Sequence, residues 1–157
     1  MIDYLDIKKQ LHTHCQSYVN DLIHRAQQGI QEAQQEANRE QKSSAGDKFE
    51  THRAMMHLQI ESFIKRLQVA QELDAQLHQV PLVSTQTITL GSLVMTEQGA
   101  FFISISAPSC VIEDQEYLCM SPEAPMYRAM RGLQAEDWME WKSPQSQENE
   151  IEIIGVY

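Results

Sequence analysis

The chain has 157 residues, room for one ordinary domain or two small ones. Hydrophobic residues make up 42% and charged residues 22%, a globular composition that excludes a disordered tail. Lys plus Arg number 12 against 22 Asp plus Glu, and the net charge of −10 opposes autonomous binding to a phosphate backbone. The apolar runs are too short to span a bilayer. The opening MIDYLDIKKQ lacks a charged-then-apolar leader. Cys15, Cys110 and Cys119 are odd in number and far from any CxxC spacing, which argues against a disulfide framework or zinc ribbon. A soluble, cytoplasmic protein with no membrane partner is expected.

Composition changes near residue 80. Residues 1–80 hold no proline, two glycines and 13 of the 19 glutamines; residues 81–157 hold all five prolines and four glycines. The first part carries 11 acids and 9 bases, a net −2, and the second 11 acids and 3 bases, a net −8. Two modules account for that asymmetry: 1–80, then a linker at 81–86, then 87–157.

The first module reads as two long helices. Tyr4, Ile7, Leu11, Cys15, Tyr18, Leu22, Ala26, Gly29, Ala33 and Ala37 recur at steps of three and four, an apolar stripe with an eleven-residue period. Its members shrink along the chain to Gly and Ala, so a pairing helix can approach closely there. Met56, Ile60, Phe63, Leu67 and Ala70 form a second seam at 4-3-4-3 steps. Between them, Lys42-Ser43-Ser44-Ala45-Gly46-Asp47 breaks the helix. A short connection joins antiparallel neighbours. The expected form is a helical hairpin, a coiled coil with its tip at about 43–50.

The second module reads as about five strands and one helix. Thr87–Leu90 and Leu93–Met95 precede a turn at Glu97-Gln98-Gly99, and Phe101–Ile105 follows. Cys110–Ile112 and Tyr117–Cys119 flank a turn at Asp114-Gln115. Pro125 to Arg131 is a short helix between Pro125 and Gly132. Trp138–Trp141 and Ile151–Val156 complete a small twisted sheet or partial barrel. Trp138 and Trp141 point to opposite faces, leaving one available to a partner. The fold class is α+β.

Asp47 and Glu50 stand three residues apart at the start of the second helix, so both carboxylates can project from one end of the hairpin. The same spacing is a variant of the capping box, and a cap can also be an exposed acid. The histidines offer no shared ligand face: His52 and His57 are about 140° apart round a helix. Ser, His and Asp lack a nucleophile-elbow context.

Ser44-Ala45-Gly46-Asp47-Lys48-Phe49-Glu50 between two long helices resembles the tip of the Gre-type bacterial transcript cleavage factors. Ser121-Pro122-Glu123-Ala124-Pro125, the apolar turn to Gly132 and then Asp137 resemble that family's C-terminal signature, and Leu90–Val94 its opening strand. The ordered set covers nearly the whole chain. The resemblance implies that the hairpin enters the secondary channel of bacterial RNA polymerase while an FKBP-like C-terminal domain docks at the rim. It implies that Asp47 and Glu50 help hold a second Mg²⁺ at the polymerase active centre. Paired metals there activate water and stabilise the leaving oxygen, and Mg²⁺ accepts one or two outside carboxylates. Lys48, Phe49 and Arg53 at the tip, and Ser121, Pro122 and Pro125 in the second module, are the implied partner-facing residues. On this reading the chain is a monomeric accessory factor, not an enzyme. It has no cofactor of its own and meets the RNA 3′ end only inside the complex.

The chain departs from the family pattern at Thr51, His52, Arg53 and Ala54, where asparagine, alanine, a second glutamate and tyrosine are usual, and at Glu136, where glycine is usual. Arg53 sets a base where an acid stands, which weakens metal recruitment. That motivates the alternative, a channel-occupying regulator or inhibitor that does not cleave. Further readings are a prolyl isomerase, which needs Phe101, Phe102, Tyr117 and the tryptophans to line a pocket, and a self-associating hairpin.

Overall fold

In the computed structural model, residues 1–40, 47–143, 145 and 148–157 are described; for Glu40, Asp47 and Glu148 this covers the main chain only. The expected tip at 43–50 therefore lies partly outside the described residues. Among the described residues, nine elements follow one another. They are helices α1 (Tyr4–Glu40) and α2 (Asp47–His78), strands β1 (Leu93–Thr96), β2 (Gly99–Ile103), β3 (Ala107–Ile112) and β4 (Gln115–Met120), helix α3 (Pro125–Met130), and strands β5 (Trp138–Lys142) and β6 (Glu148–Val156). Two long helices thus precede a β-rich region with one short helix, the α+β class expected. The chain forms two compact units, one of residues 1–18 with 76–157 and one of 19–75.

In the second unit the helices pack on small residues. Ala26, Ala33, Met56 and Ala70 are buried, as the two seams require, whereas Val19 is buried in place of the expected Tyr18, which is half-buried. A Cβ built on Gly29 would lie 2.4 Å from Cε1 of Phe63, so the Phe63 ring occupies the space that glycine leaves open. Arg66 lies over the Phe63 ring, its guanidinium 5.2 Å from the ring centroid, a cation–π contact.

In the first unit the opening turns of α1 join the sheet. Asp3 caps α1: its Oδ1 accepts from the backbone N–H groups of Leu5 (3.0 Å) and Asp6 (3.2 Å), replacing helix bonds those donors lack. Leu11, Cys15 and Lys8 are at most 1% exposed. Lys8 Nζ donates to the Val83 carbonyl and, at 3.0 Å, to that of Tyr157. Burial pushes its pKa below the ordinary lysine value, since desolvation disfavours the charged form. The Tyr157 ring stacks on Tyr4 at 3.6 Å. The histidines of α1 here serve the main chain: His12 Nε2 meets the Leu77 carbonyl at 3.2 Å and His14 Nε2 that of Pro108 at 2.9 Å.

The sheet order is β3-β4-β2-β1-β6-β5. Neighbours run antiparallel except β2 and β4, which pair in parallel from Ala100↔Tyr117 to Ile103↔Met120. Strand β2 reads Gly-Ala-Phe-Phe-Ile and is buried from Ala100 to Ile103, the continuous apolar run of a strand covered on both faces. One face packs under α3, where Ile88, Val94, Phe101, Ile103, Tyr127, Met130, Met139, Ile151 and Ile153 form the core. The other face carries Leu93 opposite Phe102, and Phe102 beside Cys119. There α1 arrives through Cys15, whose Sγ is 3.6 Å from that of Cys119.

Three local expectations shift. Thr87–Leu90 is not a strand: Thr87 makes a single bridge to Gln134. Ser92 closes a turn instead, its Oγ accepting from Thr89 N (3.0 Å) and donating to the Thr87 carbonyl (3.3 Å), a side-chain substitute for a ladder. At that turn Gly91 has φ +86 and a Cβ there would lie 2.3 Å from the Pro81 carbonyl oxygen. The β3–β4 turn sits one residue earlier than Asp114-Gln115, on Glu113 and Asp114, with φ of 48 and 64; two positive φ values in succession match the twist of a hairpin. Among the described residues the strands number six.

Two measurements check this packing. Gly29→Leu drives a side chain into the Phe63 ring and should cost about 1–3 kcal/mol, read as a lower urea midpoint. Adding Phe63→Ala should recover part of that loss in a double-mutant cycle. A hydrogen bond to Tyr4, with burial, raises the Tyr157 pKa above 10.0. Its contribution is therefore complete below pH 10 and lost as pH climbs through the raised value. Tyr157→Phe should show a shallower alkaline fall in stability than the parent chain.

Candidate functional site

The tip residues lie on the first two turns of α2. Lys48, Glu50 and Arg53 are exposed and Phe49 is half-buried. Asp47 is the first residue of α2; its side chain lies outside the described residues, as do Lys42 and Ser43–Gly46. Spacing puts Glu50 and Arg53 on one face as an i,i+3 pair, so a carboxylate and a guanidinium share that side of the helix. On the opposite face Lys48, Thr51, His52 and Met55 line an open cavity of about 330 Å³. Among the described residues, no three His, Cys, Asp or Glu side chains converge to hold a metal ion.

Further along the same unit lies a feature that sequence reading missed. Leu22, Ala26, Phe63, Val69 and Ala70 floor a groove of about 440 Å³, and Arg25, Lys65 and Arg66 rim it. Lys65 and Arg66 are adjacent in α2, but Arg25 comes from α1 about 40 residues earlier, so the sequence gives no sign that the three meet. The expected bases Lys48 and Arg53 stand apart from this set.

The second group belongs to the other compact unit. Ser121 and Pro122 are half-buried and Pro125 is exposed, in the turn that leads from β4 into α3. Ser121 closes it twice: its Oγ accepts from Glu123 N at 3.2 Å and its carbonyl from Ala124 N at 3.0 Å. Pro125 is at the first helical position, where a missing N–H costs nothing and its fixed φ is already helical. Buried Tyr127 and Met130 anchor α3 to the core. The turn is therefore a rigid exposed corner. Structure and sequence agree on Pro125, on Gly132 (φ +84) and on Asp137, whose Oδ2 accepts from Gln134 N at 2.7 Å.

Glu136 stands where the resembled signature has glycine, and its φ is +72. Its N–H donates to the Ile153 carbonyl at 2.7 Å, which fixes the left-handed conformation despite the Cβ penalty.

The aromatics required by the isomerase reading do not share one pocket. Phe101 and Phe102, successive in β2, face opposite sides of the sheet and are 4% and 0% exposed. Trp138 is 55% exposed, whereas Trp141 packs against the core.

No protein-family model matches the chain, and no curated protein matches it. Solved structures do. The chain is similar to Gre-type transcription factors of known structure. Gfh1 of Thermus aquaticus shares 17% identity, covering 92% of this chain and 95% of that one, with a TM-score of 0.36. The Gfh1 protein of Thermus thermophilus, a GreA factor homolog, shares 17% identity over 88% and 92%, with a TM-score of 0.35. A prokaryotic transcription elongation factor GreA/GreB from Nitrosomonas europaea shares 20% identity over 55% and 78%, with a TM-score of 0.34.

Two substitutions test the corner. Glu136→Gly relieves the left-handed strain and should stabilise the fold by about 0.5–1 kcal/mol, measured by urea unfolding. Met130→Ala, by contrast, should cost about 2–5 kcal/mol by opening a cavity under α3.

Proposed function

We propose that this chain is a Gre-type transcript cleavage factor. It enters the secondary channel of bacterial RNA polymerase hairpin first and promotes cleavage of backtracked RNA. The observation that carries this reading is the order of features in one chain. Two long helices come first, the second opening with Asp47-Lys48-Phe49-Glu50 and presenting Glu50 to solvent. The rigid Ser121–Pro125 corner on a β-rich unit comes second. At 1.5 Å per residue, the parts of α1 and α2 in the helical unit, residues 19–40 and 47–75, extend about 33 and 44 Å, a reach suited to a pore.

In this reading the unit of residues 19–75 acts inside the channel and the unit of residues 1–18 with 76–157 at its rim. Asp47 and Glu50 would hold an Mg²⁺ shared with the polymerase through their hard carboxylate oxygens, and that ion would supply activation of water and charge neutralisation at the leaving oxygen. The polymerase is the nuclease. Lys48, Phe49 and Arg53 face the channel wall or the RNA 3′ end, and Ser121, Pro122 and Pro125 contact the rim. The factor acts as a monomer in the cytoplasm. One observation favours a second reading, a channel regulator that does not cleave: Arg53 is exposed one turn beyond Glu50, where its charge opposes a cation.

The test uses halted, backtracked polymerase with labelled RNA and Mg²⁺. The chain should speed release of short 3′ fragments by on the order of 10²-fold, and Asp47→Asn with Glu50→Gln should abolish that gain while leaving binding intact. Arg53→Gln should raise the rate further. Binding without faster cleavage assigns the second reading. Absence of binding overturns both.

A further inference from the structure

Three thiols far apart in sequence gather in the first compact unit. Cys15, on the fourth turn of α1, is 0% exposed, and Cys119 on β4 keeps part of its surface in solvent. Their Sγ atoms are 3.6 Å apart, and Ser104 Oγ lies 3.7 Å from Cys15 Sγ. Cys110, on the neighbouring strand β3, pairs with Tyr117 across the ladder, two residues from Cys119. All three are free thiols.

We propose that Cys15 and Cys119 form a reversible thiol–disulfide site, oxidised by small-molecule disulfides and closing as an intrachain bond between α1 and β4. A bonded pair needs about 2.05 Å between the sulfurs, so the two must close by about 1.5 Å. Each sits on a regular element, and the approach needs side-chain rotation with a small shift of α1 on the sheet.

The exchange balances without a metal or cofactor. Cys119, the partner that solvent reaches, loses its proton and attacks one sulfur of the small disulfide. That forms a mixed disulfide and expels one small thiolate. Cys15 Sγ then attacks Cys119 Sγ, forming the intrachain bond and expelling the second small thiolate. Two electrons pass to the small disulfide, and the two cysteine protons end on the two small thiols. Solvent access, not acidity, selects Cys119 for the first attack, and the surroundings favour Cys15 as the thiolate of the second. A hydrogen bond from Cys119, with a further one from Ser104, pulls the Cys15 pKa below its ordinary value against the effect of burial. Cys119, donating to Cys15 and partly buried, is pushed up. Ser104 still holds Cys15 once Cys119 has lost its S–H.

Cys15 and Cys119 are 104 residues apart, and a closed loop of that length removes much freedom from the unfolded chain. The bond fixes the root of α1 to the sheet, whatever partner the chain serves.

The test exposes the folded full chain to glutathione disulfide at pH 8 and alkylates the remaining thiols. Trypsin with a glutamate-specific protease then separates Cys110 from Cys119, because Glu113 and Glu116 lie between them. The expected product, once the alkyl group on Cys110 is subtracted, is 2 Da lighter with no glutathione attached. It has a Cys15–Cys119 cross-link, an alkylated Cys110, and a melting temperature higher by about 10 °C that dithiothreitol reverses. Cys110→Ser should behave the same, and Cys119→Ser should give no intrachain bond. Three alkylated thiols, a stable glutathione adduct on Cys119, or a bond from Cys15 to Cys110 would each overturn the assignment. So would cross-linking that appears only in denaturant.

Discussion

Lys8 must keep an ammonium group where water scarcely reaches, and that demand organises the β-rich unit. It is met by main-chain carbonyls 75 and 149 residues away, those of Val83 and Tyr157. The Tyr157 carbonyl also accepts from Leu93 N at 3.0 Å and Thr85 Oγ1 at 3.3 Å. One oxygen thus joins the root of α1, the segment after α2, the start of β1 and the end of β6. A buried amine with fewer partners would pay a desolvation cost of several kcal/mol. The chain ends and the crossing segment are held together because Lys8 leaves them no cheaper arrangement. Ile7, Leu11 and Cys15 then have a sheet face to bury against.

Much of this was legible in the sequence, for a physical reason. Helix seams repeat with the helix, so Ile7, Leu11, Ala26, Gly29, Ala33 and Met56 could be chosen as core from spacing alone, and all are buried. The shrinking stripe forecast the close approach now seen between Gly29 and Phe63. Pro125 and Gly132 bracket α3 because each residue suits one helix end. What stayed hidden is long-range or exceptional. Parallel pairing of β2 with β4 leaves no local mark, since the pattern of β2 reports burial and not its neighbour. Lys8 falls beside the apolar stripe and reads as a surface base until its carbonyl partners are known. Cys15 fits a helix seam, yet its neighbours are Ser104 and Cys119 of the sheet.

The candidate site divides the same way. The tip motif and the Ser121–Pro125 corner are contiguous in sequence, so both could be named before the fold was seen. The Arg25, Lys65 and Arg66 rim depends on two helices aligning and could not. The corner also shows how a site is made rigid cheaply. Ser121 satisfies two donors of its own turn, Pro125 starts the helix without a lost bond, and Met130 and Tyr127 fasten it from beneath. Nothing in that set needs the exposed atoms of Pro122 or Pro125, which stay available for contact.

The acidic half of the chain carries a cost that folding alone does not explain. On the outer face of β5 and β6, Glu140 stands directly opposite Glu150, and Trp138 opposite Glu152. Like charges paired across an antiparallel ladder are destabilising, and an indole that is 55% exposed gains little from burial. Beside them Ile154, the extra residue where the β1–β6 register shifts, is 58% exposed. The same ladder sets Lys142 opposite Glu148 at its end, so the facing acids at Glu140 and Glu150 are not relieved where they stand. A net −8 concentrated in one half instead raises the encounter rate with a basic surface and rejects other polyanions. The cross-strand repulsion is a standing cost in the free chain, and a cationic partner would relieve it by direct pairing.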